Sequence, residues 1–184
     1  MSAPPARVAA LTSLDDLVSC VNSICAEKRW FRTVHFRPSV RWRHAARVPV
    51  CECHWLRVAL AGEQVVAYCR LFSQPERLPG WVELGIGVRS GFRRRGLGAQ
   101  LMSEALAWAD AQKAAGVYLH TFRHNHAAQQ LFLKFGFHFI PEPTPAWAGA
   151  IAPAEGEWLM TKPLGLAGGL RPSHRDTLCG YPLC

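Results

Sequence analysis

The residues whose types and spacing most clearly suggest ligand binding form a short loop of arginines and glycines, Arg93-Arg94-Arg95-Gly96-Leu97-Gly98. The loop follows a strand-like apolar segment that ends at Val88, and it leads directly into a helical pattern. Glycines let the backbone approach a ligand closely, and the first turn of a helix offers unpaired amide N–H groups at the positive end of its dipole. With three arginines beside these groups, the segment indicates a site for a diphosphate.

The loop matches neither of the common nucleotide-binding motifs. It lacks the Lys-Ser/Thr pair of a Walker A loop, and it has two glycines where a dinucleotide-binding turn has three. By itself it is equally compatible with an ordinary turn that carries surface arginines. The elements around the loop therefore have to decide between the two interpretations.

Those elements predict one domain of mixed helices and strands. The chain has 184 residues, of which 49% are hydrophobic and 18% charged, and this composition excludes a disordered chain. Thr12 and Ser13 can cap a helix from Leu14, Gly116 ends the helix that follows the loop, and Asn125 can cap a third, short helix. Predicted strands cover residues 54–60, 65–72, 81–88, 117–122, 137–140 and 157–164, and the first two form a hairpin.

With this order of elements, the sequence resembles the GNAT superfamily of acyl-coenzyme A dependent N-acetyltransferases. The family's Arg/Gln-x-x-Gly-x-Gly/Ala loop matches residues 93–98. Its second motif, an Asn followed by a short helix with Ala, Leu-Tyr, Lys and Gly-Phe, matches Asn125, Ala128, Leu131-Phe132, Lys134 and Gly136-Phe137. The resemblance covers about residues 12–164, which leaves residues 1–11 as an N-terminal extension and residues 165–184 as a C-terminal tail rich in Gly and Pro.

The resemblance implies an α/β (α+β) fold whose mixed, mostly antiparallel sheet has about six to seven strands and helices on both faces. Two neighbouring strands, here residues 81–88 and 117–122, would splay apart around the pantetheine arm of acetyl-CoA, the implied co-substrate. Backbone groups of residues 86–88 would pair with that arm, and amides of residues 94–99 would hold the pyrophosphate. The implied cofactor-binding residues are Ile86, Val88, Arg93, Arg94, Arg95, Gly96, Gly98, Ala99 and Asn125. A plain helix cap is an equally good role for Asn125.

The resemblance also implies direct attack of an amine on the thioester, which needs a base for the ammonium and an acid for the leaving thiolate. Glu83 is the candidate catalytic base, because it lies on a strand that would line the gap and because partial burial would raise its pKa. The alternative is a surface carboxylate paired with a nearby arginine. The family's usual acid is the Tyr of the second motif, and this chain has Phe132 there. Tyr118 and His120 on the adjacent strand could substitute, as could water.

The cysteines and histidines predict no metal site. Cys51-Glu52-Cys53-His54 lacks the Cys-x-x-Cys spacing of zinc knuckles, and in a strand Cys51 and Cys53 would share a face as small apolar residues. His120, His124 and His126 form a small cluster that lacks the further ligands of a closed metal site, and His124 and His126, which flank the predicted helix cap, are better explained as solvated rings. Seven cysteines in a chain whose start has no continuous apolar stretch favour reduced thiols in a cytoplasmic protein.

The net charge of +8 suggests an anionic partner. Residues 28–57 hold eight basic residues and one acidic residue, so this segment alone carries +7; a solvated surface stretch is the alternative explanation. In the family, the acceptor site is built partly by the segments that are residues 28–47 and 141–153 here. Arginines interleaved with aromatic residues, together with Trp147, would then form a lid that favours an acceptor amine with a carboxylate or phosphate and disfavours polycations.

Three functions follow, in decreasing order of support. The first is an N-acetyltransferase acting on a primary amine of a small molecule or peptide, as a monomer or homodimer. The second is a catalytically weak domain that binds or senses acyl-CoA. Nucleic-acid binding comes last, because no nucleic-acid motif accompanies the basic and aromatic segment. No stretch approaches the ~20 consecutive apolar residues of a membrane helix, so no membrane partner is expected.

Overall fold

The structure, a computed structural model, describes residues 5–142 and 144–165, and its strands form one mixed sheet. The strands are β1 (Ala6–Ala9), β2 (Val50–Cys51), β3 (His54–Ala61), β4 (Gln64–Ser73), β5 (Trp81–Val88), β6 (Gly116–Phe122), β7 (His138–Phe139) and β8 (Glu157–Pro163). Their spatial order is β1-β3-β4-β5-β6-β8-β7, and β2 pairs with β3 outside this path. Every pair is antiparallel except β5–β6. The predicted mixed, mostly antiparallel sheet is confirmed, with eight strands in the described residues where about six to seven were expected.

Helices pack on both faces of the sheet, as predicted. They are α1 (Leu14–Cys25), α2 (Val40–Arg47), α3 (Leu97–Ala111) and α4 (His126–Lys134). Because alternate residues of a strand point to opposite faces, β3 sends Leu56 into the core beneath α1 and α2, and Ala59 into the core beneath α3 and α4. Ser13 caps α1, since its hydroxyl accepts a hydrogen bond from the Asp16 amide at 3.3 Å.

The one parallel pair of the sheet, β5–β6, separates after three paired positions. The register is Trp81↔Gly116, Val82↔Val117 and Glu83↔Tyr118. Beyond Glu83, β5 pairs only with β4, in a register that runs without interruption to Val88. The predicted splayed strand pair is therefore confirmed, and no bulge turns Glu83 to the other face.

Two strands and one helix were not predicted. β1 lies within residues 1–11, which the family resemblance leaves before the domain, yet it pairs with Val58–Ala61 of β3. At four and two residues, β1 and β2 are too short to show an alternating pattern. α2 lies in the basic segment between Pro38 and Pro49, where only Ala45 is fully buried, so its apolar face is narrow.

The predicted tail, residues 165–184, lies outside the described residues apart from Gly165. Across residues 5–142 and 144–165, none of the helices combines the length and the apolar character needed to cross a membrane.

Candidate functional site

The arginine- and glycine-rich loop forms one wall of a first cavity, with a volume of about 910 Å³. β5, the start of α3, α4 and the segment after α1 supply the other walls. Of the predicted cofactor-binding residues, those that line it are Ile86, Val88, Arg93, Arg94, Gly96, Gly98, Ala99 and Asn125. Arg95 is not among the lining residues, and its guanidinium lies over the Phe92 ring, 5.3 Å from the ring centroid.

The start of α3 presents backbone amides to this cavity. Gly96 precedes the helix at φ +81°, a left-handed conformation that glycine adopts without steric cost. Glycine has no side chain to cap the helix, and the first turn carries no acidic residue. Arg94 also has a positive φ, 62°, so the backbone turns sharply just before the helix. This geometry suits an anion held by amide N–H groups at the positive end of a helix dipole.

Arg93 ties the loop to the end of α1. Its Nε donates to the Val88 carbonyl at 2.9 Å, and its terminal nitrogens lie 2.5 and 2.8 Å from the two carboxylate oxygens of Glu27. Trp30 Nε1 donates to the same carboxylate at 2.6 Å. The hydrogen bonds from Arg93 hold the pKa of Glu27 below its ordinary value, despite the opposing effect of burial. The Arg93 guanidinium therefore already has an anionic partner within the chain.

The first cavity meets a second one, with a volume of about 310 Å³. The residues that line both are Trp30, Phe31, Ile86, Asn125, Ala128 and Phe132. Asn125 acts as a helix cap, because its Oδ1 accepts a hydrogen bond from the Ala128 amide at 3.3 Å. Phe132 is 4% exposed and stands at the junction with a ring that has no proton to donate. The junction lies beside β5, beyond the point where that strand leaves β6.

Glu83 lines the second cavity at the point where the strands separate. Its Oε1 lies 3.2 Å from Arg70 Nη2, its Oε2 lies 3.3 Å from Arg70 Nη1, and the Gln74 side-chain amide also donates to it. Burial raises the pKa of Glu83, but the charge and hydrogen bonds of Arg70 outweigh burial, so the pKa lies below its ordinary value. The expected rise in pKa is therefore wrong. The alternative, a surface carboxylate paired with an arginine, is correct about the pairing with Arg70. It is not correct about the surface position, because the Glu83 side chain is only 20% exposed.

The two residues predicted as substitute acids have different surroundings. His120 lines the second cavity, and its Nε2 lies 2.8 Å from the Ile151 carbonyl oxygen. In a neutral ring Nε2–H is then the donor, and Nδ1 keeps a lone pair. Tyr118 is fully buried, lines neither cavity, and has a pKa raised by burial. Of the two, only His120 is placed to act at this site.

Sequence reasoning missed two charged residues of the second cavity, Arg70 and Glu157. Glu157 is 4% exposed, and its Oε1 accepts from Arg32 Nε at 2.9 Å. Arg70 could have been noticed, because it is the only charged residue in the apolar strand β4. Glu157 could not, because an acidic residue at the start of a strand is common and does not indicate a site. The cavity thus holds two Arg–Glu pairs, Arg70–Glu83 and Arg32–Glu157, and its formal charges balance.

Of the two segments that were predicted to form a lid, only the first, residues 28–47, contributes to the lining of the second cavity. The residues of 28–47 that line the second cavity are Trp30, Phe31, Arg32, Thr33, Phe36 and Trp42. Most basic residues of this segment do not line it; Arg29, for example, lies over the Trp30 ring at 4.9 Å. The later loop departs from the expectation, because Trp147 stacks on Trp81 at 5.9 Å and residues 144–153 line neither cavity.

Residues 17–137 match the family model described as the acetyltransferase (GNAT) family. Among curated proteins, none matches the chain significantly.

Several solved structures are similar to this chain at low sequence identity. The phosphinothricin acetyltransferase of Sinorhizobium meliloti in complex with AcCoA aligns with a TM-score of 0.70, at 15% identity over 95% of each chain. A GNAT-family acetyltransferase from Streptococcus pneumoniae aligns with a TM-score of 0.69, at 18% identity over 88% of this chain and 100% of the other. The ribosomal-protein-S18-alanine N-acetyltransferase of Escherichia coli aligns with a TM-score of 0.57, at 18% identity over 89% of this chain and 97% of the other. At these identities the likeness shows a shared fold.

Proposed function

Because the chain belongs to the acetyltransferase (GNAT) family, we propose that it transfers an acetyl group from acetyl-CoA to a primary amine of a small molecule or peptide. The observation that carries this proposal is the junction of two cavities where β5 and β6 separate. One cavity for each substrate allows direct attack in a ternary complex, because the reacting atoms can meet at the junction without a covalent enzyme intermediate.

The first cavity is suited to acetyl-CoA, which supplies the acetyl group as a thioester. The amides at the start of α3 match a pyrophosphate. The backbone of residues 86–88, which has no partner in β6, matches an amide-containing arm. Apolar side chains such as Phe92 and Leu131 line the remaining walls.

The second cavity favours an acceptor that carries an amine and an anionic group. Glu83 and Glu157 can bind an ammonium, and Arg32 and Arg70 can bind a carboxylate or a phosphate. Amino acids and the amino termini of acidic peptides combine the two groups. Two proteins with a similar fold are named for different acceptors, phosphinothricin in one case and the alanine of a ribosomal protein in the other.

Glu83 is the catalytic residue of this proposal. As a carboxylate with a low pKa it attracts the ammonium and, through water, accepts the proton that the amine must lose. His120 contributes a second acceptor at Nδ1 on the facing strand. Because Phe132 has no proton to give, water donates the proton to the thiolate, or His120 does so after its Nδ1 has accepted the proton that the amine loses; the conjugate thiol has a pKa near ~8.5.

The experiment is a screen for coenzyme A release from acetyl-CoA with single amines, alongside a direct measurement of acetyl-CoA binding. The panel contains amino acids, peptides with acidic amino-terminal residues, polyamines and aminoglycosides. We expect acetyl-CoA binding and turnover of the zwitterionic amines, with slower turnover of the polycations. Failure to bind acetyl-CoA would overturn the proposal.

Phe132 at the junction favours one alternative, a domain that binds acyl-CoA without efficient transfer. The same screen separates the two functions. Tight acetyl-CoA binding with no turnover of any amine would support the binding domain.

A further inference from the structure

The turn between β2 and β3 brings together cysteines and histidines that the proposed acetyl transfer does not use. Val50↔Trp55 and Cys51↔His54 are paired across the hairpin, and Glu52-Cys53 forms its turn. The expectation that Cys51 and Cys53 alternate along a strand is therefore wrong, since Cys53 belongs to the turn. The Cys51 Sγ nonetheless lies 3.1 Å from the Cys53 Sγ.

His54 directs one ring nitrogen at both thiols. Its Nδ1 lies 3.0 Å from the Cys51 Sγ and 3.4 Å from the Cys53 Sγ. Its Nε2 lies 2.5 Å from the Val48 carbonyl oxygen, so Nε2 carries the hydrogen and Nδ1 has the lone pair. A backbone carbonyl that fixes the second ring nitrogen in this way is the usual support of a metal-bound histidine.

α2 supplies a further ligand from outside the hairpin. Ligand atoms of His44, Cys51 and His54 lie within 4.8 Å of one another, and the His44 and His54 ring centroids are 5.0 Å apart. The turn itself is held in place, because the Cys53 carbonyl accepts a hydrogen bond from the Ser73 amide of β4 at 2.9 Å. Cys53 lies outside this group of three but adjoins it through its contacts with Cys51 and His54, so side chains from a helix, a strand and a turn lie close together.

We propose that His44, Cys51, Cys53 and His54 form a binding site for one zinc ion. Two thiolates and two imidazoles are a set that zinc binds with tetrahedral geometry, whereas magnesium and calcium prefer oxygen ligands. With bond lengths of about 2.3 Å to sulfur and about 2.0 Å to nitrogen, the ligand atoms of a tetrahedral site are separated by roughly 3.3–3.8 Å. The thiols therefore move apart slightly on binding, and each releases its proton to solvent.

The site ties α2 to the sheet. His44 stands two residues after Trp42, which lines the second cavity. Zinc therefore stabilises the helix that carries part of the acceptor wall, and it has no role in the transfer of the acetyl group itself.

The test uses the reduced, full-length chain. Zinc content after equilibration in a zinc buffer is measured by mass spectrometry, and cobalt is added separately as a spectroscopic probe. We expect one equivalent of zinc, a thiolate-to-cobalt charge-transfer band with tetrahedral d–d bands, and a higher Tm with zinc. The Cys51→Ser/Cys53→Ser variant should bind zinc at least tenfold more weakly and lose the charge-transfer band.

A matched control removes two other thiols. Cys179→Ser/Cys184→Ser should keep one equivalent of zinc, because the proposed site does not include these residues. His44→Gln should weaken zinc binding but retain the thiolate-to-cobalt charge-transfer band, because both thiolate ligands remain. If the double cysteine variant does not fold, zinc protection of two thiols against alkylation in the wild-type chain, mapped by peptide mass, replaces it. Absence of stoichiometric zinc from the wild type, or protection at other cysteines, would overturn the proposal.

Discussion

Glu83 combines two properties that oppose each other in a base. The Arg70 guanidinium keeps it ionised and correctly placed, and the same contact lowers the pKa that would drive proton abstraction. In the proposed mechanism this carboxylate binds the ammonium and orders a water molecule, so its loss should lower the rate of transfer more than the affinity for the coenzyme.

Glu83→Gln should lower kcat/KM for the best amine by about 10²-fold, the lower end of the usual contribution of a general base. The affinity for acetyl-CoA should change little, because Glu83 lines only the second cavity. Steady-state kinetics and acetyl-CoA titration check both statements, with Glu63→Gln, at the exposed β3–β4 turn, as the control. An unchanged kcat/KM would remove Glu83 from the mechanism.

Phe132→Tyr should raise kcat by about tenfold, since it places a phenol at the junction where the thiolate leaves. Phe135→Tyr is the matched control, because Phe135 follows α4 and lines neither cavity. The gain should also appear as a new alkaline limb in the pH profile of kcat. Equal kcat values for the two variants would show that water already suffices as the acid.

At the scale of the elements, the strand–loop–helix unit from β5 to α3 could be predicted closely from the sequence. Alternation in residues 81–88 and the glycines before α3 are local signals, and the structure has β5 at Trp81–Val88 as expected. The pairing of Arg70 with Glu83 could not be predicted, because it depends on the β4–β5 register. The convergence of His44 with the β2–β3 turn was likewise missed, since it requires a helix whose only fully buried residue is Ala45.

Gly96→Ala tests the left-handed backbone conformation of the residue that precedes α3. A Cβ at Gly96 meets no atom within 4 Å, but φ +81° costs an L-residue about 1–2 kcal/mol. We expect the free energy of unfolding, measured by urea denaturation, to fall by that amount. We also expect weaker binding of acetyl-CoA, measured by titration. Gly91→Ala is the control, because a Cβ at Gly91 also meets open space but the backbone there has no positive φ. Equal effects of the two substitutions would contradict a cost that comes from the backbone conformation of Gly96.

At the scale of the whole molecule, the positive charge of the basic segment is not concentrated in the second cavity. Arg29 and Arg41 of this segment lie over aromatic rings, Arg32 pairs with Glu157, and the formal charges that line the second cavity balance. A sequence shows how many charges a segment carries, but their partners lie up to 125 positions away, as for Arg32 and Glu157. The acceptor that we propose therefore remains an amine with a carboxylate or a phosphate, because acidic and basic side chains both line the second cavity.

The stability of the chain should fall in acid. The pKa values of Glu27 and Glu83 are lowered in the folded state from an ordinary 4.5, so their contribution is complete above about pH 4.5 and is lost as the pH falls through the lowered values. Urea unfolding between pH 3 and pH 7 should show this decline. Glu27→Gln should be less stable at pH 7 and should show a shallower decline, whereas an identical slope would exclude the Glu27–Arg93 pair as a cause.

The separation of β5 from β6 has a consequence for the protein without its coenzyme. Beyond Glu83, the side of β5 that faces away from β4 is an open sheet edge, and such edges recruit other strands, including those of neighbouring molecules. A bound pantetheine arm would close this edge as a surrogate strand. If the coenzyme binds in this gap as proposed, it would also limit self-association. The backbone amides of Ile86 and Val88, which face away from β4, would then exchange their hydrogens with solvent more slowly.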